Sequence, residues 1–111
     1  MLDKQVIAYL KEFHQGEGKA AISRELEAAF NIRGRELREI VNRLRAQGLP
    51  ICSSEAGYYY AADMQELDRT IRQLSSRIKN IAVARHGLLK ARSLYTDDRQ
   101  TTLPLEGGDH D

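Results

Sequence analysis

Apolar positions recur at two different periods along the chain, and each change of period marks an element. Val6, Ile7, Tyr9, Leu10 and Phe13 are spaced by three and four, a single stripe on an amphipathic helix over residues 3–13. Gly16-Glu17-Gly18 breaks that pattern. Lys19-Ala20-Ala21-Ile22 is a short link with room for a brief strand. Ser23 suits the N-cap of a second helix, Arg24 to about Phe30. Asn31 tolerates the left-handed backbone that a tight turn after that helix requires. A third helix is expected from about Arg33 to Gln47, with Leu37, Ile40, Val41 and Leu44 inward and Gly48 at its end.

The period then changes. Leu49-Pro50-Ile51-Cys52-Ser53 reads as a short strand, Ser54-Glu55-Ala56-Gly57 as a turn, and Tyr58-Tyr59-Tyr60-Ala61 as a second strand. Together they predict a β-hairpin. Asp63 to about Arg92 is free of proline and predicts one long helix. Thr96 to Asp111 is a polar, acidic tail whose composition predicts poor order. The expected fold is mainly α with a small β-hairpin: a winged helix-turn-helix over residues 1–62, a long C-terminal helix over 63–95, and the tail over 96–111.

The centre of the chain carries the fold assignment. In Ser23-Arg24-Glu25-Leu26-Glu27-Ala28-Ala29-Phe30-Asn31-Ile32-Arg33-Gly34-Arg35-Glu36-Leu37, the residues Leu26, Phe30, Ile32, Leu37 and then Ile40 fall where two helices of a helix-turn-helix face each other and the core. Asn31 stands at the corner, where a positive φ is needed. This segment resembles the winged helix-turn-helix at the N-terminus of biotin-operon repressors and related small regulators. The resemblance continues through Val41-Asn42-Arg43-Leu44-Arg45-Ala46-Gln47-Gly48-Leu49-Pro50-Ile51-Cys52-Ser53 and the Gly57-Tyr58 of the second wing strand, about residues 5–62 in all. Small prophage-type DNA-binding proteins with a helical C-terminal extension are similar too. Two positions depart from the family pattern. Glu27 stands where a small residue usually packs the two helices, and the wing tip Ser53-Ser54-Glu55 has an acid and no base. Nothing after Asp63 resembles a biotin-ligase catalytic domain.

A recognition helix reads base edges in the major groove with its solvent-facing residues. Here the outward set is Arg33, Arg35, Glu36, Arg38, Glu39, Asn42 and Arg43. Arginine bonds guanine bidentately and asparagine does the same to adenine. The bland alternative is a solvated helix held by pairs such as Arg35–Glu39 at i, i+4.

Along the long helix, Leu67, Ile71, Leu74, Ile78, Ile81 and Leu88, with Tyr95 beyond, follow a 4-3-4-3 spacing, interrupted at Arg85 and Arg92. Thirty helical residues extend about 45 Å, more than a small domain is wide, so part must project or pack on another chain. A homodimer through this seam is one reading. The other is that Leu67, Ile71 and Leu74 pack on the chain's own first helix. The stretch 69–92 holds seven bases and no acid. Arg69, Arg72, Arg77 and Lys79 are candidate contacts to DNA phosphates, which add salt-dependent affinity without sequence information. The same bases are alternatively partners of the acidic tail (Asp97, Asp98, Glu106, Asp109, Asp111) or a solvated face.

Composition narrows the chemistry. The chain has 111 residues, one domain's worth, so a two-domain enzyme is not expected. The net charge of +1 hides a basic stretch and a tail of charge −4, and binding responds to patches rather than to the sum. One cysteine, Cys52, excludes a disulfide scaffold and predicts a buried hydrophobe in a reducing cytoplasm. The opening Met1-Leu2-Asp3-Lys4 lacks the order of a secretory leader. No apolar run approaches a membrane span. His14, His86 and His110 are scattered, so no metal site is expected, and neither a cofactor, a small-molecule ligand nor a catalytic constellation is evident. Tyr58, Tyr59 and Tyr60 are expected to be half core and half surface rather than a base-stacking platform. The functional expectation is a double-stranded DNA-binding protein that is not an enzyme, acting as a dimer in transcription regulation or as an accessory DNA-binding protein. The alternative is a protein-interaction module on the same fold without DNA contact.

Overall fold

A computed structural model describes residues 2–95 of the chain. The tail over 96–111, and with it the expected pairing of its acids, lies outside the described residues. The elements follow in the order α1 (Leu2–Phe13), a 3-10 turn (Glu17–Lys19), α2 (Ser23–Phe30), α3 (Gly34–Ala46), β1 (Ile51–Ser54), β2 (Gly57–Tyr60) and α4 (Met64–Ala91). The fold is mainly α with one antiparallel hairpin and a long C-terminal helix, in the order of a winged helix-turn-helix. The chain divides into two compact units between Leu74 and Ser75. The first unit therefore takes in the opening turns of α4 and ends twelve residues beyond the 1–62 span expected from sequence. Their inner side explains this: Thr70 is buried and Leu67 and Leu74 are half-buried. In the second unit α4 continues to Ala91 and ends in a 3-10 turn, Arg92–Leu94.

One stripe from each element builds the core. Val6 and Leu10 of α1, Leu26 of α2, and Leu37, Ile40, Val41 and Leu44 of α3 are essentially inaccessible, joined by Ala21, Ile51, Cys52 and Tyr59. Removing each of these from water stabilises the fold by about 1.5–3 kcal/mol for a large aliphatic side chain. Tyr9 clamps α1 to α2, with its ring centroid 5.1 Å from that of Phe13 and 5.3 Å from that of Phe30, the latter edge-on at 82°.

The turn between α2 and α3 is as tight as the sequence implied. Asn31 adopts φ 54 and ψ 50, and the Ile32 N–H donates to the Glu27 carbonyl at 3.0 Å. The start of α2 differs from expectation. Ser23 lies inside the helix and Ile22 takes the N-cap position in extended backbone. The Ile22 N–H donates to Glu25 Oε1 at 3.0 Å, while the Ser23 hydroxyl donates to Glu27 Oε2 at 2.7 Å. The reason lies one residue earlier. Ala21 exchanges both backbone hydrogen bonds with Tyr58, which holds the chain extended up to Ile22.

That bridge is what remains of the brief strand expected over 19–22. It pairs Ala21 with Tyr58, and a second bridge pairs Gln15 with Tyr60. The contact requires Gly57, whose φ is 124. A Cβ there would lie 2.3 Å from the Ala21 carbonyl oxygen. On its other side β2 pairs with β1 in the register Ile51–Tyr60, Cys52–Tyr59, Ser53–Tyr58. Tyr59 is buried and Tyr58 and Tyr60 are half-buried, as alternation along a strand demands.

Candidate nucleic-acid interface

The two faces of α3 are chemically opposite. Leu37, Ile40, Val41 and Leu44 fill the core, and the 3.6-residue period then turns Arg35, Glu36, Arg38, Glu39, Asn42 and Arg43 to solvent, where all are exposed. Arg33 is the N-cap residue, in extended backbone, and is exposed as well. An open concavity of about 660 Å³ lies along this face. Asn31, Ile32, Arg33, Glu36, Glu39 and Arg43 are among its walls, with Arg35 beside them. Asn31 and Ile32, assigned from sequence to the corner and the core, thus also shape the surface in front of the helix.

These side chains are not equally available. Arg43 is committed to Asp3 of α1 in a two-pronged ion pair, Nε to Oδ2 and Nη2 to Oδ1, each 2.9 Å. The Arg43 guanidinium holds the Asp3 carboxyl below the usual carboxylate range and is itself raised by the same bond. Sequence spacing gave no sign of this pair, because its partners are 40 residues apart. Arg35 and Glu39 form the expected i, i+4 pair, but loosely, at 3.6 Å and well exposed. Arg33 and Arg38 form no ion pair among the described residues. The Arg38 guanidinium lies near Gly34, where an added Cβ would be 3.5 Å from Nη1.

A second arginine near the end of α3 serves the fold. Arg45 donates from Nε to the Ile51 carbonyl at 2.8 Å and from Nη2 to the Ser53 hydroxyl at 3.1 Å, tying α3 to β1. At the wing tip the Ala56 N–H donates to the Ser54 hydroxyl, and Glu55 is exposed.

On α4, the candidate phosphate contacts also separate. Arg69 pairs with Glu17 at 3.1 Å. The Tyr59 phenol, and after it Glu17, hold the Arg69 guanidinium above its ordinary range, while burial pushes the Tyr59 phenol up. Glu66 holds this corner together, accepting from the Glu17 N–H at 2.9 Å and the Ala62 N–H at 2.8 Å. Arg72, Arg77 and Lys79 are exposed and form no ion pair among the described residues.

The six seam residues divide as well. Leu67 and Leu74 are half-buried, whereas Ile71, Ile78, Ile81 and Leu88 are 50, 68, 60 and 73% exposed. Leu67, Ile71 and Leu74 line a groove with Leu49, Pro50 and Ile51 of the α3–β1 link.

Cys52 is buried, its thiol pushed up by burial and donating to the Glu66 carbonyl at 3.6 Å. Among the described residues no cluster of His, Cys, Asp or Glu has the makings of a metal site, and no helix is long and apolar enough to cross a membrane. Comparison of the chain with protein-family models, with curated proteins and with solved structures gave no match.

Proposed function

We propose that this chain binds double-stranded DNA through the exposed face of α3. The observation that carries this reading is that Arg33, Arg38 and Asn42 stand exposed on a helix whose opposite face is wholly core. A helix so anchored can enter a major groove as a rigid reader. Arg33 and Arg38 would bond guanine O6 and N7, Asn42 would bond adenine, and Glu36 or Glu39 would accept from cytosine N4. Arg35 joins them once its loose pair with Glu39 opens. Arg72, Arg77 and Lys79 would add phosphate contacts, with Arg69 held back by Glu17. A homodimer through Ile71, Ile78, Ile81 and Leu88 would present two such helices to two half-sites. The role that fits is a cytoplasmic transcriptional regulator or accessory DNA-binding protein, of the phage or prophage type that residues 5–62 resemble.

The test is the anisotropy of a labelled random-sequence duplex titrated at several salt concentrations. Several phosphate contacts give a steep fall of log K with log salt, about −0.9 per contact. Absence of binding at low salt overturns the reading. It would favour the second one, a protein-interaction module. The observations on that side are that Asp3 neutralises Arg43 and that the wing tip carries only Glu55.

A further inference from the structure

The apolar stripe of α4 is accompanied by a polarity of charge along the helix. Its acids are at one end, Glu66 and Asp68, and from Arg69 to Arg92 every ionised residue is basic. Glu66 is occupied by the backbone N–H groups of Glu17 and Ala62. Asp68 is half-buried and forms no ion pair among the described residues, and the same holds for Arg92 at the other end. In heptad terms Ile71 and Ile78 occupy a positions, with Arg85 continuing that row and Arg92 next on it, the first residue past the end of α4. Leu67, Leu74, Ile81 and Leu88 occupy d.

We propose that two copies of this chain pair their α4 helices antiparallel, with Ile78 of each beside the partner's Ile81. This deepens the dimer reading above and rests on it. The register sets Ile71 beside the partner's Leu88 and Leu67 beside the partner's Arg92. Asp68, one position further on, then meets the partner's Arg92, and symmetry makes that contact twice. The groove of about 270 Å³ walled by Leu49, Pro50, Ile51 and Ile71 opens where the partner's Leu88 arrives. A parallel, in-register pair would instead set each copy of Arg92 against the other and leave Asp68 beside its own copy's end of the helix. It would also align the two helix dipoles, which the antiparallel pair opposes.

Disulfide trapping distinguishes the orientations. In a Cys52→Ala background, one chain carries Ile71→Cys and a second, mass-tagged chain carries Leu88→Cys. Both positions are at least half exposed, so the core is untouched. Oxidation of the mixture is expected to give the mixed disulfide, with little self-linking of either variant. Efficient self-linking of each variant alone, with little mixed product, means a parallel dimer. It overturns the orientation and leaves the dimer standing. A monomer in sedimentation at tens of micromolar overturns both. As a second check, Asp68→Arg and Arg92→Asp should each weaken the dimer by about tenfold, and the two together should restore it to within about threefold. Failure of the double variant to recover overturns the register.

Discussion

The Glu27 carboxylate lies directly over Gly34: a Cβ on that glycine would stand 3.2 Å from Glu27 Oε2. An acid at the close approach of α2 and α3 is accommodated because the residue facing it has no side chain. The Ser23 hydroxyl fixes the same oxygen at 2.7 Å.

A double-mutant cycle measures that accommodation. Alanine is the better helix former, worth up to about 1 kcal/mol over glycine. Gly34→Ala alone is expected to leave the urea midpoint nearly unchanged, since crowding offsets propensity. In a Glu27→Ala background the same change should raise stability by up to about 1 kcal/mol. Equal effects in both backgrounds would contradict the contact.

Gly57→Ala is expected to be far more severe. Its Cβ would collide with the Ala21 backbone at 2.3 Å, and φ at 124 is strained for any L side chain. We expect a loss of about 3 kcal/mol or more by urea unfolding, with the hairpin and the start of α2 disturbed together. A loss below about 1 kcal/mol would mean that the bridge between residues 21 and 58 does not hold the wing.

The Asp3–Arg43 pair predicts part of the acid limb of stability. The folded carboxyl titrates below its ordinary value, so the unfolded chain binds the proton first as pH falls. Its contribution is complete above about pH 4 and is lost as pH drops through the lowered value. Asp3→Asn should therefore flatten the fall in thermal midpoint below pH 4 and change little in the slope above pH 5. An unchanged acid limb would count against the pair in solution.

The same pair ranks the arginines of α3. Arg38→Ala is expected to cost about 1–3 kcal/mol on a specific site and to relax preference at one base pair. Arg43→Ala should cost clearly less, because its guanidinium is turned to Asp3. Arg72→Gln should weaken all sequences alike and lower the salt slope by about 0.9 if that residue touches phosphate. Competition titrations with two duplexes separate these outcomes, and an Arg43 effect as large as that of Arg38 would place Arg43 on the DNA.

The order of elements was legible in the sequence because each rests on local period and punctuation. The inward stripe of α3, the left-handed Asn31 and the turn before Gly57 all depend on residues within one or two turns of one another. The outward set on α3 was legible for the same reason. What local spacing could not show is which outward residues are occupied. Asp3 and Arg43 meet across 40 positions, Glu17 and Arg69 across 52, and the Ala21–Tyr58 bridge across 37. Such contacts belong to the packed chain, and they turn an apparently uniform row of arginines into Arg43 and Arg69, which brace the fold, and Arg33, Arg38 and Arg72, which form no ion pair with a described residue.

The hydrogen bonds around the hairpin have a consequence for how this protein can stick to itself. On the side of β2 away from β1, Tyr58 and Tyr60 spend their backbone groups on Ala21, His14 and Gly16. On the outer side of β1, the Ile51 carbonyl takes Arg45 and the Ser53 N–H faces the Thr70 hydroxyl at 3.4 Å. These contacts occupy edge groups that a further strand would otherwise need as a template. The dimer proposed above would accordingly rest on side chains rather than on shared backbone, where charge and register can discriminate between partners.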